Sequence, residues 1–449
     1  MRVLLLSTYE LGHQPLHLAT AAGALRAAGH EVRLADVSVD GLDEAGISWA
    51  EAVALSAPMH TAARLATVAA EAIRSVRAEL PLCAFGLYAE ALRADPRAAT
   101  LFDLTVAGEY EGPLLGWVEG LDAGTPPGAA HRRELRQRPA RPDRQGLPPL
   151  DRYARLADGA SERLVGFAEA TRGCSHRCRH CPVPVIYDGR VRRIPVDTVV
   201  ADVDRQVEAG ATHITFADPD FLNAPQHAMR VVNAFHRRHP EVTFDVTVKV
   251  EHVLRHHRLW GPLSDAGLLF VVSAFECVND AILARLDKGH TAADAATATA
   301  LLRRHGVEVR PSFMPFTPWT TVVDVLDIVD FVIDQDLVPN VEPIQYSIRL
   351  LVPPGSLLLD DPEVLGVLGP FEAPKLTHRW ASPDPAVDRL QQRLAAIAEQ
   401  RSGDAPERVF PAVHAAVAEA AMGSAGRGPA PIRAGATQGR PRLTEPWFC

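Results

Sequence analysis

The chain has 449 residues, 47% apolar and 22% charged, enough to build two hydrophobic cores. Its 46 basic and 55 acidic side chains give a formal charge of −9, which argues against nucleic acid as a partner. No apolar run approaches the roughly 18 residues of a membrane span. The opening MRVLLLSTYELG carries no secretory-signal pattern, so a cytoplasmic protein is expected.

Residues 1–125 alternate short apolar runs with amphipathic stretches. Strands are expected at 3–7, 29–37, 52–57, 81–86 and 101–108, with helices over 16–28 and 60–79. Continuous apolar strands alternating with helices predict a doubly wound, Rossmann-like α/β domain with a parallel sheet. Such sheets bind ligands beyond the carboxyl ends of their strands, here residues 7–12, 56–59, 86–88 and 108–112. Ser56, Gly86, Gly108 and Glu109 are the cofactor-binding candidates there. No G-x-G-x-x-G follows the first strand, so a dinucleotide site is not supported. A domain that only packs or dimerises is the other reading. Cys83 sits inside an apolar strand and reads as a core thiol.

Residues 126–149 are rich in Pro, Arg and Gln, and the interval 126–160 reads as a solvated linker. TRGCSHRCRHCPVPVIYDGR (171–190) then places three of the six cysteines within eight residues. Their odd number and the lack of a secretory signal exclude a disulfide framework. Cys174, Cys178 and Cys181 follow a C-x3-C-x2-C spacing suited to a soft metal. An iron–sulfur cubane needs four ligands, so three cysteines leave one iron open unless Cys277 or Cys449 supplies a fourth thiolate. Zinc with His176 or His180 as an added ligand is the alternative.

The motif lies just after the first strand of a second α/β unit, is preceded by TRGC and is closed by Pro182. In this setting it resembles the radical S-adenosylmethionine superfamily. The resemblance implies that Cys174, Cys178 and Cys181 hold a [4Fe-4S] cluster whose open iron is chelated by S-adenosylmethionine. Reduction, by an external flavodoxin- or ferredoxin-type partner, then cleaves the sulfonium and usually releases a 5'-deoxyadenosyl radical. Tyr187 matches the place of an aromatic beside the adenine.

A partial (β/α)6 TIM-like barrel is expected over 161–360, with strands at 212–221, 241–251, 267–280, 306–316 and 341–356. Polar residues gather at their ends: Asp218, Asp220, Lys249, Glu251, Ser273, Glu276, Gln345 and Arg349. The resemblance places S-adenosylmethionine contacts on these ends. Asp218 and Asp220 stand where the family carries a Gly-Gly-Glu-like motif, although the sequence here is ADPD. Glu251 is the candidate for a ribose hydroxyl, with Ser273 and Gln345 as further cofactor contacts. Lys249 and Glu276 are the catalytic candidates, Lys249 to neutralise a carboxylate.

An α/β domain ahead of such a cluster resembles the cobalamin-binding class of these enzymes, through STYELGHQP (7–15), GEYEGP (108–113) and PPLDRY (148–153). The D-x-H-x-x-G cobalt-ligating pattern is absent, which implies cobalamin without a protein histidine on cobalt, or an empty cleft. Residues 361–423 are expected to be helical, notably 384–400 and 407–423, and 424–449 to form a flexible tail. The tail ends LTEPWFC. It resembles a group ending in Cys–selenocysteine (or Cys–Cys)–Ala–Glu–Pro, which makes Cys449 the first residue of the pair and a catalytic candidate. The same match implies that the chain stops at a selenocysteine codon.

The leading expectation is cobalamin-dependent methyl or alkyl transfer to a small molecule. A rival is transfer of the 3-amino-3-carboxypropyl group of S-adenosylmethionine to a metalloid such as arsenite, with the tail cysteine holding it. A non-catalytic metal sensor, with four sulfur ligands, is the reading from another class.

Overall fold

A computed structural model describes residues 1–125, 139–159, 161–424, 428, 430–431 and 440–445, together with the backbone of 130–134. The N-terminal sheet contains β1 (Arg2–Ser7), β2 (Glu31–Asp36), β3 (Ala52–Ser56), β4 (Leu82–Phe85), β5 (Leu104–Gly108) and β6 (Ala130–Glu134). Their spatial order is β2-β1-β3-β4-β5-β6, all parallel. Side chains alternate along β1 into two cores. Leu4 and Leu6 pack with Val53, Leu55 and the helix His60–Val76. Val3 and Leu5 pack with Phe85 and the helix Leu16–Ala27. Burial on both faces explains why these strands read as unbroken apolar runs.

The stretch expected to be a solvated linker is more ordered than that. It supplies β6, and its Arg144 is nearly buried. Arg144 donates to both carboxylate oxygens of Asp202 (2.9 and 2.8 Å), to the Phe167 carbonyl (2.6 Å) and to Gln14 (3.1 Å). A bidentate partner 58 residues away, on the helix Val196–Glu208, makes that arginine structural.

The second sheet is built from β7 (Arg155–Asp158), β8 (Ser161–Ala168), β11 (His213–Phe216), β12 (Thr243–Thr247), β13 (Leu268–Glu276) and β14 (Glu308–Phe313). A short hairpin of β9 (Thr171–Gly173) and β10 (Val191–Arg193) lies between β8 and β11 in sequence. The sheet order is β14-β13-β12-β11-β8-β7-β17, where β17 is Arg442–Leu443. Strands β8 and β11–β14 are parallel, and their helices pack on the outside to give a curled half-barrel. The expected strand at 341–356 is not formed. Short 3₁₀ turns at Val338–Asn340 and Pro343–Tyr346 replace it, leaving one bridge between Phe316 and Arg349. Pro343, Pro353 and Pro354 lack the amide hydrogens that a ladder needs.

Beyond the half-barrel, β15 (Leu368–Glu372) and β16 (Thr377–Trp380) form a hairpin in a region expected to be helical. The helices Pro385–Gln400 and Pro406–Ser424 follow as expected. The tail is not wholly irregular: β17 pairs antiparallel with β7, and Arg310 donates to the Pro441 carbonyl at 3.3 Å. Both anchors draw it across the half-barrel.

Candidate active site

The cysteine loop is held from both ends. At its start, Asp218 accepts from the Ala170 amide (2.8 Å) and the Thr171 hydroxyl (2.5 Å). Burial pushes the Asp218 carboxyl up to about 7 against the pull of those bonds. Gly173 has φ +76°, and a Cβ there would lie 2.2 Å from the Arg190 carbonyl oxygen. Only glycine fits the turn that launches Cys174. Asn223 Oδ1 then accepts from the Ser175 amide (3.2 Å) and hydroxyl (2.7 Å). At the far end, Cys181 precedes the helix Pro182–Tyr187, whose Pro182 sits in the first turn where no amide partner is needed.

Cys174 and Cys178 are buried and Cys181 is half-buried, and none forms a disulfide. Burial pushes Cys174 up to about 11 and Cys181 up to about 12. Three soft sulfur donors on one eight-residue loop fit a metal cluster that would take them as thiolates. Lys288 is a buried cation whose field reaches Cys178 and Cys181. Cys277 does not join this group: it packs in the barrel core and its thiol faces the Asn279 carbonyl at 3.6 Å. Cys449 lies outside the described residues.

The rim of the half-barrel collects most of the expected polar side chains. Glu276 ends β13 with φ +63° and meets Lys288 Nζ at 2.8 Å and His180 Nε2 at 3.2 Å. Burial alone would raise its pKa; Lys288 and His180 outweigh that and hold the carboxylate well below the usual range. Lys249 Nζ lies 3.2 Å from His176 Nδ1 and 3.5 Å from Glu251 Oε2. Glu251 is the more exposed of these rim groups. Asp220 is buried against His252, with 3.0 Å between its Oδ2 and Nδ1. Ser273 donates to the Val248 carbonyl (2.7 Å), tying β13 to the end of β12. Gln345 Oε1 accepts from the Phe313 amide (3.0 Å). Arg349 turns outward to Asp388 and stacks on Trp380.

The N-terminal sheet presents its carboxyl edge to this loop. Ala107 of β5 packs with Cys174, Val183, Ile186 and Tyr187. Gly86 (φ +116°) and Gly108 (φ +80°) lie beside it at the ends of β4 and β5. Arg172 crosses the junction, with Nη1 2.7 Å from Glu111 and 3.3 Å from Glu109, and Nη2 2.6 Å from Glu169. Burial pushes Glu109 up to about 7 despite Arg172. Its Oε1, the Ser7 hydroxyl and the Ser56 hydroxyl are buried without a hydrogen-bond partner. A cavity of about 340 Å³ lies past the end of β4, walled by Leu87, Ala91 and Arg93 from the N-terminal unit and by His180, Pro182 and Pro353 from the second; Ser7, Ser56 and Glu109 are not among its lining residues.

Sequence reasoning missed Arg172, Asn223, His252 and Lys288. His252 directly follows Glu251, so the strand-end pattern extended one residue further would have reached it.

Residues 169–332 match the model of the radical SAM superfamily, so the chain carries a radical SAM domain. Such a domain implies a [4Fe-4S] cluster and S-adenosylmethionine, and the three cysteines above are the donor set that fits the cluster. A tRNA-2-methylthio-N(6)-dimethylallyladenosine synthase of Idiomarina loihiensis is 22% identical over 242 residues, 48% of this chain and 46% of that protein. The chain thus aligns with about half the length of that curated relative. The methyltransferase TsrM of Kitasatospora setae, solved with cobalamin and a [4Fe-4S] cluster, superposes with a TM-score of 0.58 at 16% identity, covering 75% of this chain and 73% of that one. OxsB, a cobalamin-dependent radical enzyme solved with aqua-cobalamin, gives 0.64 at 14% identity, over 87% and 66%. The shared architecture is an α/β domain joined to a curled half-barrel. Among the described residues no helix is long and apolar enough to cross a membrane.

Proposed function

We propose that this radical SAM enzyme transfers a methyl or alkyl group to a small molecule with the help of cobalamin bound between the N-terminal sheet and the cysteine loop. One observation carries the reading: the cavity of about 340 Å³ is walled by both units, so a ligand there touches the carboxyl edge of the sheet and the cluster motif together. The buried, unpartnered polar atoms of Ser7, Ser56 and Glu109 lie at the ends of β1, β3 and β5, the carboxyl edge where such sheets bind ligands, though off the wall of this cavity. The histidine on the cavity wall, His180, has its Nε2 3.2 Å from Glu276, while its Nδ1 is buried without a hydrogen-bond partner; the other histidines near the sheet edge lie off the cavity wall. His17 bonds Glu10, His60 bonds the Lys375 carbonyl, and His13 stacks on Phe167.

The bound cluster and S-adenosylmethionine supply one-electron cleavage of a sulfonium bond, and cobalamin supplies a carrier for the alkyl group. The chain's own work is positioning. Cys174, Cys178 and Cys181 hold the cluster, and Asp218 and Asn223 fix the loop that carries them. Tyr187 packs against Ala107 and Cys174 and closes one flank against water. Glu251, exposed on the rim, would accept from ribose hydroxyls, and Lys249 and the Glu276–Lys288 pair would supply charge near the cofactor. An external one-electron reductant and a small-molecule substrate are the partners.

Anaerobic loading with hydroxocobalamin tests this reading. The wild type should retain about one corrinoid per chain after gel filtration. Ala94→Trp, an exposed position lining the cavity, should lower that affinity by roughly tenfold or more, since a bulky ring fills the space, while cluster iron stays unchanged. Corrinoid retention equal in both proteins, or absent from the wild type, would contradict it.

A further inference from the structure

His176, Asp220 and His252 come from three separate elements: the cysteine loop, the turn after β11 and the helix Val250–Arg255. Their ligand atoms form a compact triangle. His252 Nδ1 and Asp220 Oδ2 are 3.0 Å apart, His176 Nε2 and His252 Nδ1 are 3.4 Å, and His176 Nε2 and Asp220 Oδ2 are 3.5 Å. Only the first edge is a good hydrogen bond, because such contacts weaken beyond about 3.2 Å. All three lengths suit the ligands of one small ion. Metal–ligand distances of about 2.0–2.1 Å separate neighbouring ligands by roughly 3.0 Å at right angles and roughly 3.4 Å at the tetrahedral angle.

The surroundings hold these groups in place. Asp220 Oδ1 accepts from the Leu222 amide (2.9 Å), and its Oδ2 accepts from the Lys249 amide (3.2 Å). Both Asp220 and His252 are buried. The second nitrogen of His176, Nδ1, faces Glu251 Oε2 at 3.6 Å and Lys249 Nζ at 3.2 Å. With Nε2 on a metal, Nδ1 is protonated and no longer accepts from Lys249, whose ammonium then turns to Glu251 Oε2, 3.5 Å away, leaving that carboxylate behind the ring. A carboxylate behind a ligating imidazole is the usual outer arrangement of such sites.

We infer that His176 Nε2, His252 Nδ1 and Asp220 Oδ2 bind a divalent first-row transition ion beside, and separate from, the cysteine-held cluster. Two imidazoles and a carboxylate favour Zn²⁺ or Fe²⁺ and leave a position open. That position takes water or an oxygen or nitrogen donor of the substrate.

The test uses anaerobic holoenzyme with its full complement of cluster iron, loaded with zinc sulfate and desalted. Metal analysis should find zinc in addition to that iron, and zinc-edge X-ray absorption should show nitrogen and oxygen neighbours at about 2.0 Å with no sulfur. His252→Ala and Asp220→Asn should each weaken zinc retention by roughly tenfold or more without lowering cluster iron. Zinc absent beside a full cluster, a sulfur shell marking zinc on the cysteines, or unchanged retention in both variants would overturn the site. Should the variants fail to fold, the wild-type absorption spectrum decides alone.

Discussion

Arg172 Nη1 and Glu111 Oε1 lie 2.7 Å apart at the buried junction of the two units. Glu109 and Glu169 complete the knot, and the guanidinium rests 5.1 Å from the Tyr110 ring centroid. Arg172 thus bridges Glu109, Glu111 and Glu169 out of water, with Arg192 adding to the field on Glu109, and removing Arg172 strands the acids. Arg172→Met should lower unfolding free energy by about 3–5 kcal/mol in chemical denaturation. Because Arg172 is two residues from Cys174, the variant should also lose cluster iron faster to a chelator. A loss under about 1 kcal/mol would mean that the knot is solvated and of little weight.

The same knot predicts a pH dependence. Glu109 titrates near 7 in the folded chain, against an ordinary value of 4.5. Between those values the native state binds a proton that the unfolded state does not, so this group's contribution is present below 4.5 and is lost as pH rises toward 7. Glu109→Gln removes the ionisation. Its melting temperature relative to wild type should therefore rise on going from acidic to alkaline buffer. A difference that stays flat or falls would contradict the assigned shift.

Gly173→Ala should uncouple the cysteine loop from the fold. The left-handed backbone and the 2.2 Å approach of the Arg190 carbonyl leave no room for a methyl group. Strain of about 1–3 kcal/mol is expected, with β9 and β10 parting and the reconstituted cluster losing iron. Full iron content in the alanine variant would show that the turn relaxes freely.

Glu276 and Lys288 make the opposite pH argument. The carboxylate is held below its ordinary range, so its contribution is present above about pH 4.5 and is lost as pH falls through the lower folded value. Lys288→Met leaves it with His180 alone. That variant should be less stable by about 3 kcal/mol at neutral pH, and the gap should narrow in acid. A constant gap across pH would sever the pair from the acid response.

The cysteine loop and the sheet cores were legible because each is local: a three-thiol spacing, or an apolar run bounded by turns. The partnerships that fix the site were not. Asp218 reads as a strand-end acid open to a ligand, yet both its oxygens are taken by residues 47 and 48 positions earlier. Ser273 is likewise committed to Val248. Arg144 looks solvated in a Pro-rich stretch until the fold brings Asp202 to it. The strand expected at 341–356 failed for a local reason that was readable, the prolines at 343, 353 and 354.

The cysteine-held cluster is proposed to cleave S-adenosylmethionine beside a carrier for alkyl transfer. The most direct test is the nucleoside products of the anaerobically reconstituted, reduced protein with and without cobalamin, resolved by mass spectrometry beside Cys178→Ala. The wild type should yield 5'-deoxyadenosine and the variant none above background, with S-adenosylhomocysteine appearing when cobalamin is supplied. Methylthioadenosine as the enzymatic product, formed with or without cobalamin, would contradict alkyl transfer through cobalamin and point to movement of the aminocarboxypropyl group instead.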